Sequence, residues 1–347
     1  MSPRPRVSFV VPVRNGRGWL GDCLDSALAQ TMGDLEVVVV DDGSTDGSRV
    51  VADDRARGDR RCRVLAGPGG PEGGALVAAL NLGVEAARAP LVARLDADDV
   101  AAPERLALQC ERLDRDPTLA VVDGRMRLTG VGGAEPGEGM RRYADWVNGV
   151  VTPDDFDRAL LQESPVVHPA ATFRRDVVRA AGGYRDGAFP EDYDLWLRLH
   201  RAGHRLAKVE ACCVTMRDHG GRLTRSDARY DRAGFRRVAQ AWIEARLLPE
   251  RTRLGLWGGP SGARPWLRWL RERDRTPRAF FDIATRRLGG HKGDNVPVVS
   301  PDRLPELDLD LLLVALAGRG AVDLVRADLA RLRPDWREGR DWWAVVC

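Results

Sequence analysis

Val37-Val38-Val39-Val40 runs straight into Asp41-Asp42-Gly43-Ser44-Thr45-Asp46. The figure recurs where Pro90-Leu91-Val92-Ala93-Arg94-Leu95 meets Asp96-Ala97-Asp98-Asp99, and where Phe189-Pro190 leads into Glu191-Asp192-Tyr193-Asp194. Short runs rich in Val and Leu read as buried parallel strands. Open α/β sheets bind ligands outside the carboxyl ends of such strands. Carboxylates gathered there repel one another. A divalent cation carrying phosphates relieves that repulsion, because hard cations prefer oxygen ligands. The pattern predicts an α/β fold with a site for a metal–nucleotide complex.

Outward from these clusters the chain alternates strand and helix. Val7 to Val13, Glu36 to Asp41, Arg63 to Ala66 and Leu91 to Leu95 predict strands. Trp19 to Gln30, a stretch from Asp46, and Ala75 to Ala87 predict helices between them, with Gly67 to Gly74 as a Gly/Pro loop. This order argues for a mostly parallel sheet covered on both faces. Pro103 opens a helix to Arg115, and Leu119 to Leu128 follows as a strand. Gly130 to Gly139 reads as a mobile loop, and Arg175 to Ala181 and Asp192 to Arg201 as short helices. A helix from Arg225 to Leu248 closes the first domain, residues 1–249. From 250 to 347 the alternation restarts as a smaller α/β domain. Its strands are Leu254 to Trp257, Arg278 to Asp282, Leu311 to Leu316 and Trp342 to Val346.

With 347 residues, 44% hydrophobic and 30% charged, the chain has room for two domains and an ordinary globular composition. A net charge of +3 lacks the concentrated basic character of a nucleic-acid protein. The six cysteines form no C-x-x-C pair, and no His or Cys group has zinc-ligand spacing. Reduced thiols, no signal peptide and no spanning apolar stretch predict a cytoplasmic protein. Peripheral contact with the inner face of the membrane stays open.

Val7-Ser8-Phe9-Val10-Val11-Pro12-Val13-Arg14-Asn15-Gly16, followed by Asp41 to Asp46, closely resembles the opening of family-2 glycosyltransferases. The resemblance continues through Ala79-Leu80-Asn81-Leu82-Gly83, Arg94 to Asp99, Gly182-Gly183-Tyr184 and Glu191 to Leu199. It covers roughly residues 5 to 220. It implies a GT-A fold, a nucleotide-sugar donor, a divalent Mg²⁺ or Mn²⁺ and inversion at the anomeric carbon. A hydroxyl-bearing acceptor completes the reaction: a glycan, a lipid-linked sugar or a small molecule.

The expected site residues follow. Asp41 or Asp42 meets the nucleobase or ribose, Asp42 the base; a helix cap is the alternative. Pro12, Val13, Asn15, Asn81 and Arg94 lie on the donor side by resemblance. Asp96, Asp98 and Asp99 form the D-x-D element, with Asp98 first among the metal ligands. Asp192 is the expected general base, with Glu191 next in line. Arg217 and His219 resemble a late Arg-x-His element that meets the diphosphate, with a mobile loop as the alternative. His168 lines the acceptor pocket or belongs to the core. Trp196 is the other acceptor candidate, although core packing suits it better.

Gly258-Gly259-Pro260-Ser261-Gly262-Ala263 lies where a dinucleotide fingerprint would, and Asp282 where a ribose-binding acid would. Pro260 and Ala263 replace glycines of that fingerprint, and proline has no N–H to offer a pyrophosphate. The domain resembles Rossmann-like modules appended to some bacterial glycosyltransferases, and a structural or docking role is expected. Two other functions are weighed. One is a noncatalytic nucleotide-sugar-binding scaffold; the other is an NAD(P)-dependent oxidoreductase built on the C-terminal domain.

Overall fold

A computed structural model describes residues 4–69, 75–132, 134–249, 253–284, 287–293, 295–316 and 319–347. The chain divides into two compact units, Met1–Phe156 with Pro165–Ala228, and Asp157–Ser164 with Arg229–Cys347. The boundary expected after residue 249 falls inside the second unit.

The first unit is built on an eight-stranded sheet. Its strands are β1 (Val7–Val13), β2 (Leu35–Asp41), β3 (Cys62–Ala66), β4 (Leu91–Arg94), β5 (Val100–Ala101), β6 (Leu119–Gly130), β7 (Thr172–Arg174) and β8 (Arg205–Asp218). Their order is β3-β2-β1-β4-β7-β6-β8-β5. β3, β2, β1 and β4 run parallel, β7 is antiparallel to both β4 and β6, and β8 is parallel to β6. β1 and β2 are buried along their whole length, as continuous Val runs require. The chain leaves β1 for β2 and β3 on one side, then returns to β4 on the other. That reversal opens a crevice at the carboxyl ends of β1 and β4.

Several elements escape the sequence reading, among them β8 and a helix before it. β8 spans 14 residues, and Lys208 interrupts its apolar pattern. That lysine is fully buried because it pairs with the equally buried Asp123 of β6. Helix Glu138–Asn148 was also unforeseen; β6 continues through Gly130. Of the expected Gly67–Gly74 loop, residues 70–74 lie outside the described residues, as does Gly133 of the later one.

Arg105 ties this unit together from inside. It is fully buried, with its guanidinium 5.3 Å from the centre of the Phe9 ring. It donates to the carbonyls of Arg94 at 2.7 Å, Pro169 at 2.8 Å and Ala171 at 3.1 Å. Burial pulls its pKa down to about 10, so it stays charged at neutral pH.

The second unit holds a six-stranded sheet. It contains β9 (Leu254–Gly258), β10 (Ala279–Phe281), β11 (His291–Lys292), β12 (Val296–Val299), β13 (Leu311–Ala315) and β14 (Trp342–Ala344). The order is β11-β12-β10-β9-β13-β14, with β11 alone antiparallel. β9 sits between its two successors' sides, as in a doubly wound sheet. Helix Arg232–Arg246, expected to close the first domain, packs in this unit: Trp242 meets Trp343 edge-on with centroids 5.1 Å apart. It begins later than Arg225, because Asp231 caps it by accepting from the Gly234 N–H at 2.7 Å.

Replacing Arg105 with Leu strips the charged donor from three buried carbonyls. We expect a loss of about 3–5 kcal/mol in stability. It should appear as a lower urea midpoint with an unchanged m-value.

Candidate active site

β4 ends at Arg94, and the next five residues deliver Asp96, Asp98 and Asp99 to the crevice. Carboxylate oxygens of the three lie within 4.8 Å of one another. Asp96 and Asp98 keep partial exposure, whereas Asp99 is 0% exposed. Asp99 is raised to about 8: burial pushes it up, Arg222 pulls the other way, and the charges of Asp96 and Asp98 add to the rise. Burial would also raise Asp96, but Arg94 and Arg222 outweigh it and hold that carboxyl below its ordinary value.

The compensating charges come from the end of β8 and the turn beyond it. Arg222 reaches all three carboxylates, at 3.6 Å from Asp96, 3.6 Å from Asp98 and 3.1 Å from Asp99. His219 Nδ1 accepts from the Gly221 N–H at 3.2 Å, so its proton sits on Nε2. That nitrogen donates to Asp98 Oδ2 at 2.9 Å. Arg217 donates to the Asp98 carbonyl at 3.1 Å and pairs with Asp22 at 2.7 Å. Trp19 underlies both: it stacks on His219 with centroids 5.7 Å apart and lies 5.2 Å from the Arg217 guanidinium. Thus Arg217 and His219, expected at the diphosphate, lie against the acidic cluster. Arg222 and Trp19 are additions that the motif reading missed.

Glu191 and Asp192 open helix Glu191–Arg201, with Pro190 at its N-cap. Asp192 is half-buried, and its carboxyl is pushed up to about 7. Burial is the main cause, the neighbouring Glu191 charge adds to it, and Asp96 contributes across the crevice. Helix-end amides of Tyr193 and Asp192 pull the other way. Beside it, His168 Nε2 and Tyr184 Oη share a hydrogen bond of 2.9 Å. Burial, reinforced by the Arg94 charge, pushes His168 down to about 3, so it stays neutral.

Several expected contacts are redirected. Trp196 is 0% exposed, edge-on to His168 at 5.9 Å and tilted against Phe173 at 6.4 Å. It has no surface for an acceptor and belongs to the core. Asn81 spends both ends of its amide on Tyr184, accepting from its N–H and donating to its carbonyl at 2.9 Å each. It holds the Gly182-Gly183 turn rather than a donor. Gly183 is required there: at φ 65°, a Cβ would sit 2.6 Å from Asn81 Oδ1. Arg94 is 2% exposed, and its guanidinium serves the carbonyls of Val10 and Leu95 and the Asp96 carboxylate. It positions Asp96 and does not face a donor.

The other donor-side residues gather at the ends of β1 and β2. Asp42 accepts from the N–H groups of Gly69 at 2.8 Å and Ala75 at 2.6 Å. Asp41 accepts from the Ser44 N–H at 3.2 Å. Asn15, at φ 54°, accepts from the Thr45 N–H at 2.8 Å and so joins the two strand-end loops. Pro12 and Val13 are buried, and the Val13 carbonyl accepts from the Asp42 N–H at 2.8 Å.

The acidic cluster suits a hard divalent cation. It offers only oxygen donors, close together, and the buried Asp99 Oδ2 has no hydrogen-bond partner. The second unit's fingerprint is different. A Cβ on Gly258 would lie 2.4 Å from the Ala315 carbonyl oxygen, and one on Gly262 2.7 Å from the same atom. These glycines let a helix close onto β13. The helix that follows β9, Pro260–Arg271, begins inside that fingerprint segment. Asp282 is bound to Arg287 at 2.7 Å and to the Ala284 N–H at 2.9 Å.

A family model, glycosyl transferase family 2, matches residues 8–182. The chain is 28% identical over 217 residues to the chondroitin synthase of Pasteurella multocida, covering 62% of this chain and only 21% of that one. It is 30% identical over 199 residues to the amylovoran biosynthesis glycosyltransferase AmsE of Erwinia amylovora, covering 57% and 70%. Among solved structures, the mannosyltransferase PcManGT of Pyrobaculum calidifontis, in complex with GDP-Man and Mn²⁺, matches with a TM-score of 0.51 at 21% identity. That match covers 72% of this chain and 66% of the other. S. aureus TarS 1-349 matches with a TM-score of 0.51 at 18% identity, over 69% and 65%. The structural likenesses establish a GT-A fold. The chain belongs to glycosyl transferase family 2.

Replacing Arg222 with Met removes a guanidinium that reaches all three carboxylates. In EDTA the variant should lose about 3–5 kcal/mol of stability, the cost of breaking a buried ion pair. Added Mn²⁺ should raise its melting temperature more than that of the wild type. Equal responses in a thermal-shift titration would show that Arg222 does not compensate the cluster.

Proposed function

We propose that the chain moves a sugar from a nucleotide-sugar donor to an acceptor hydroxyl, with inversion at the anomeric carbon. One observation carries the reading. Asp96, Asp98 and Asp99 converge at the switch point between β1 and β4, and Asp192 opens a helix within their electrostatic reach. Asp192 takes the acceptor proton while the acceptor oxygen bonds to the anomeric carbon. The bond from that carbon to the diphosphate breaks in the same displacement, which inverts the centre. Asp98 and Asp96, the exposed members of the cluster, would hold Mg²⁺ or Mn²⁺. A cation bound there supplies neutralisation of the charge on the departing nucleoside diphosphate. Arg217 and His219 orient Asp98, and neutral His168 with Tyr184 shapes the side next to Asp192.

Relatives named for chondroitin and amylovoran synthesis support a polysaccharide product. Neighbours solved with UDP-GlcNAc and with GDP-Man support a nucleotide-sugar donor. No helix among the described residues is long and apolar enough to cross a membrane. A noncatalytic scaffold would have no need of a carboxyl raised into the range of a working base. The oxidoreductase alternative loses its footing, because Asp282 is engaged by Arg287 and the fingerprint glycines serve packing.

The assignment separates binding from chemistry. Asp98→Ala should abolish Mn²⁺-dependent donor affinity in calorimetry while leaving the melting curve cooperative. Asp192→Asn should keep that affinity and lower transfer by about 10²–10⁴-fold. A protonated Asp192 cannot accept a proton. Wild-type turnover should therefore fall as pH drops through about 7, and the residual rate of the Asn variant should lose that inflection. Near-normal turnover of Asp192→Asn would move the base to Glu191.

A further inference from the structure

A second concentration of charge lies in the second unit, and it is basic. Helix Pro260–Arg271 presents Arg264, Arg268 and Arg271 at i, i+4 and i+7, hence along one face. All three are exposed. Arg287 and the β11 residues His291 and Lys292 face them across a groove of about 480 Å³. Leu267 and Phe280 form its floor, with Lys292 Nζ 3.9 Å from the centre of the Phe280 ring.

The fold explains why the groove is there. Parallel neighbours normally need a crossover, usually a helix. Between β10 and β12 the described residues instead place the short arm β11. The turn after it approaches the helix closely. Gly293 takes φ 56°, a conformation that favours glycine, and a Cβ there would press on the helix, 3.3 Å from Arg271 Nη1 and 3.4 Å from Leu267 Cδ2. One wall is therefore helix, the other is the β11 arm, and both carry cations.

Among the described residues, Asp282 is the carboxylate that meets cations of this groove. Asp282 pairs with Arg287 at 2.7 Å and stands 4.0 Å from Lys292. Arg264 and Arg268 pair with no carboxylate among the described residues. Lys292 is held below its ordinary pKa, first by burial and then, against Asp282, by Arg287 and Arg264. Cations crowded around a concave surface focus a positive potential that favours an anion. Guanidinium forks suit phosphate and carboxylate alike. Charge density decides between them. An acidic glycan spaces single carboxylates along its length, whereas a phosphate or diphosphate ester concentrates several charges in a volume that such a groove can enclose.

We propose that this groove binds a phosphate or diphosphate ester, at a site separate from the one at β1 and β4. The ester is carried either by a soluble molecule or by a lipid headgroup. The inference does not depend on the reaction assigned to the first unit.

The test titrates the full chain with inorganic pyrophosphate in EDTA, followed by calorimetry. Wild-type protein should bind, and Arg264→Ala/Arg268→Ala should weaken binding by at least about tenfold, because charge-assisted hydrogen bonds are lost. Both residues are exposed, so an unchanged melting temperature should accompany the loss. Arg268→Glu should weaken binding further, and Asp98→Asn should leave it intact. Vesicles of phosphatidylcholine with and without phosphatidic acid separate the sources. Phosphatidic acid-dependent binding lost in the double variant means a lipid phosphate; pyrophosphate binding without vesicle binding means a soluble ester. No pyrophosphate binding by the wild type, equal binding by the double variant, or loss only in Asp98→Asn would overturn the proposal. So would a preference for polyglutamate over pyrophosphate.

Discussion

Like charge held at the end of one strand is the constraint around which the first unit is arranged. Two unit charges about 4 Å apart interact by about 4 kcal/mol in a protein-like medium. Three carboxyl groups whose oxygens fall within 4.8 Å cannot all ionise freely, and Asp99, raised to about 8, largely keeps its proton at neutral pH, while the remaining charge needs compensation. Arg94 supplies part of it from the strand itself. The rest arrives from more than a hundred residues away, on the turn after β8. The pairing of β5 with β8, Val100 against Thr215, brings that turn to the cluster. The long β8 is thus part of the site's electrostatics as much as of the sheet. A cation entering the cluster would share those carboxylates with Arg222, so the fold already contains the charge that its ligand would bring.

Geometry at the crevice rests on a second layer of buried polar groups. Arg105 and Gln109 together bind carbonyls from β4, β6 and the segment around Pro169. Asp123 of β6 accepts from the Val167 N–H at 2.8 Å while paired with Lys208 of β8. His168 is therefore fixed from both neighbours, and the strand end that carries Asp96 is fixed at the Arg94 carbonyl, two residues before it. Buried ions of this kind are poor sources of net stability, but removing one partner strands the other. Their effect is to give the segment one position, which a catalytic constellation needs.

The acidic motifs were legible because their meaning is local. A Val run fixes a strand, the strand fixes an end, and the carboxylates stand just beyond it. Asp192 was legible for the same reason, as an acid at the start of an amphipathic helix. What failed to read depends on contacts far apart in sequence. Asn81 looks like a ligand residue until Tyr184, 103 residues on, takes both ends of its amide. Arg222 looks like any surface arginine until β8 lays it among three aspartates. The apolar face of Arg232–Arg246 announces that the helix is buried, yet cannot say that Trp343 covers it. Gly258 and Gly262 carry the strongest local signal of the second unit. The same absence of a side chain that would admit a pyrophosphate here admits the backbone of β13.

The two charged clusters answer the same electrostatic problem differently. In the first unit the acids are met by Arg222, Arg94 and the His219 N–H, so the cluster is largely balanced within its own unit. In the second, Arg264 and Arg268 are exposed on a concave wall and pair with no carboxylate among the described residues. Exposure makes this tolerable, because water and salt screen the repulsion. Screening does not explain why the helix, the loop and the β11 arm all turn cations toward one groove. Arg264 and Arg268 are exposed, so the packing of their helix does not require them to face the groove. Alignment of charge from three separate segments is a local conflict that folding alone does not require. Such a conflict is resolved when an anion occupies the groove, and the near-neutral total charge of the chain keeps the attraction confined to that place.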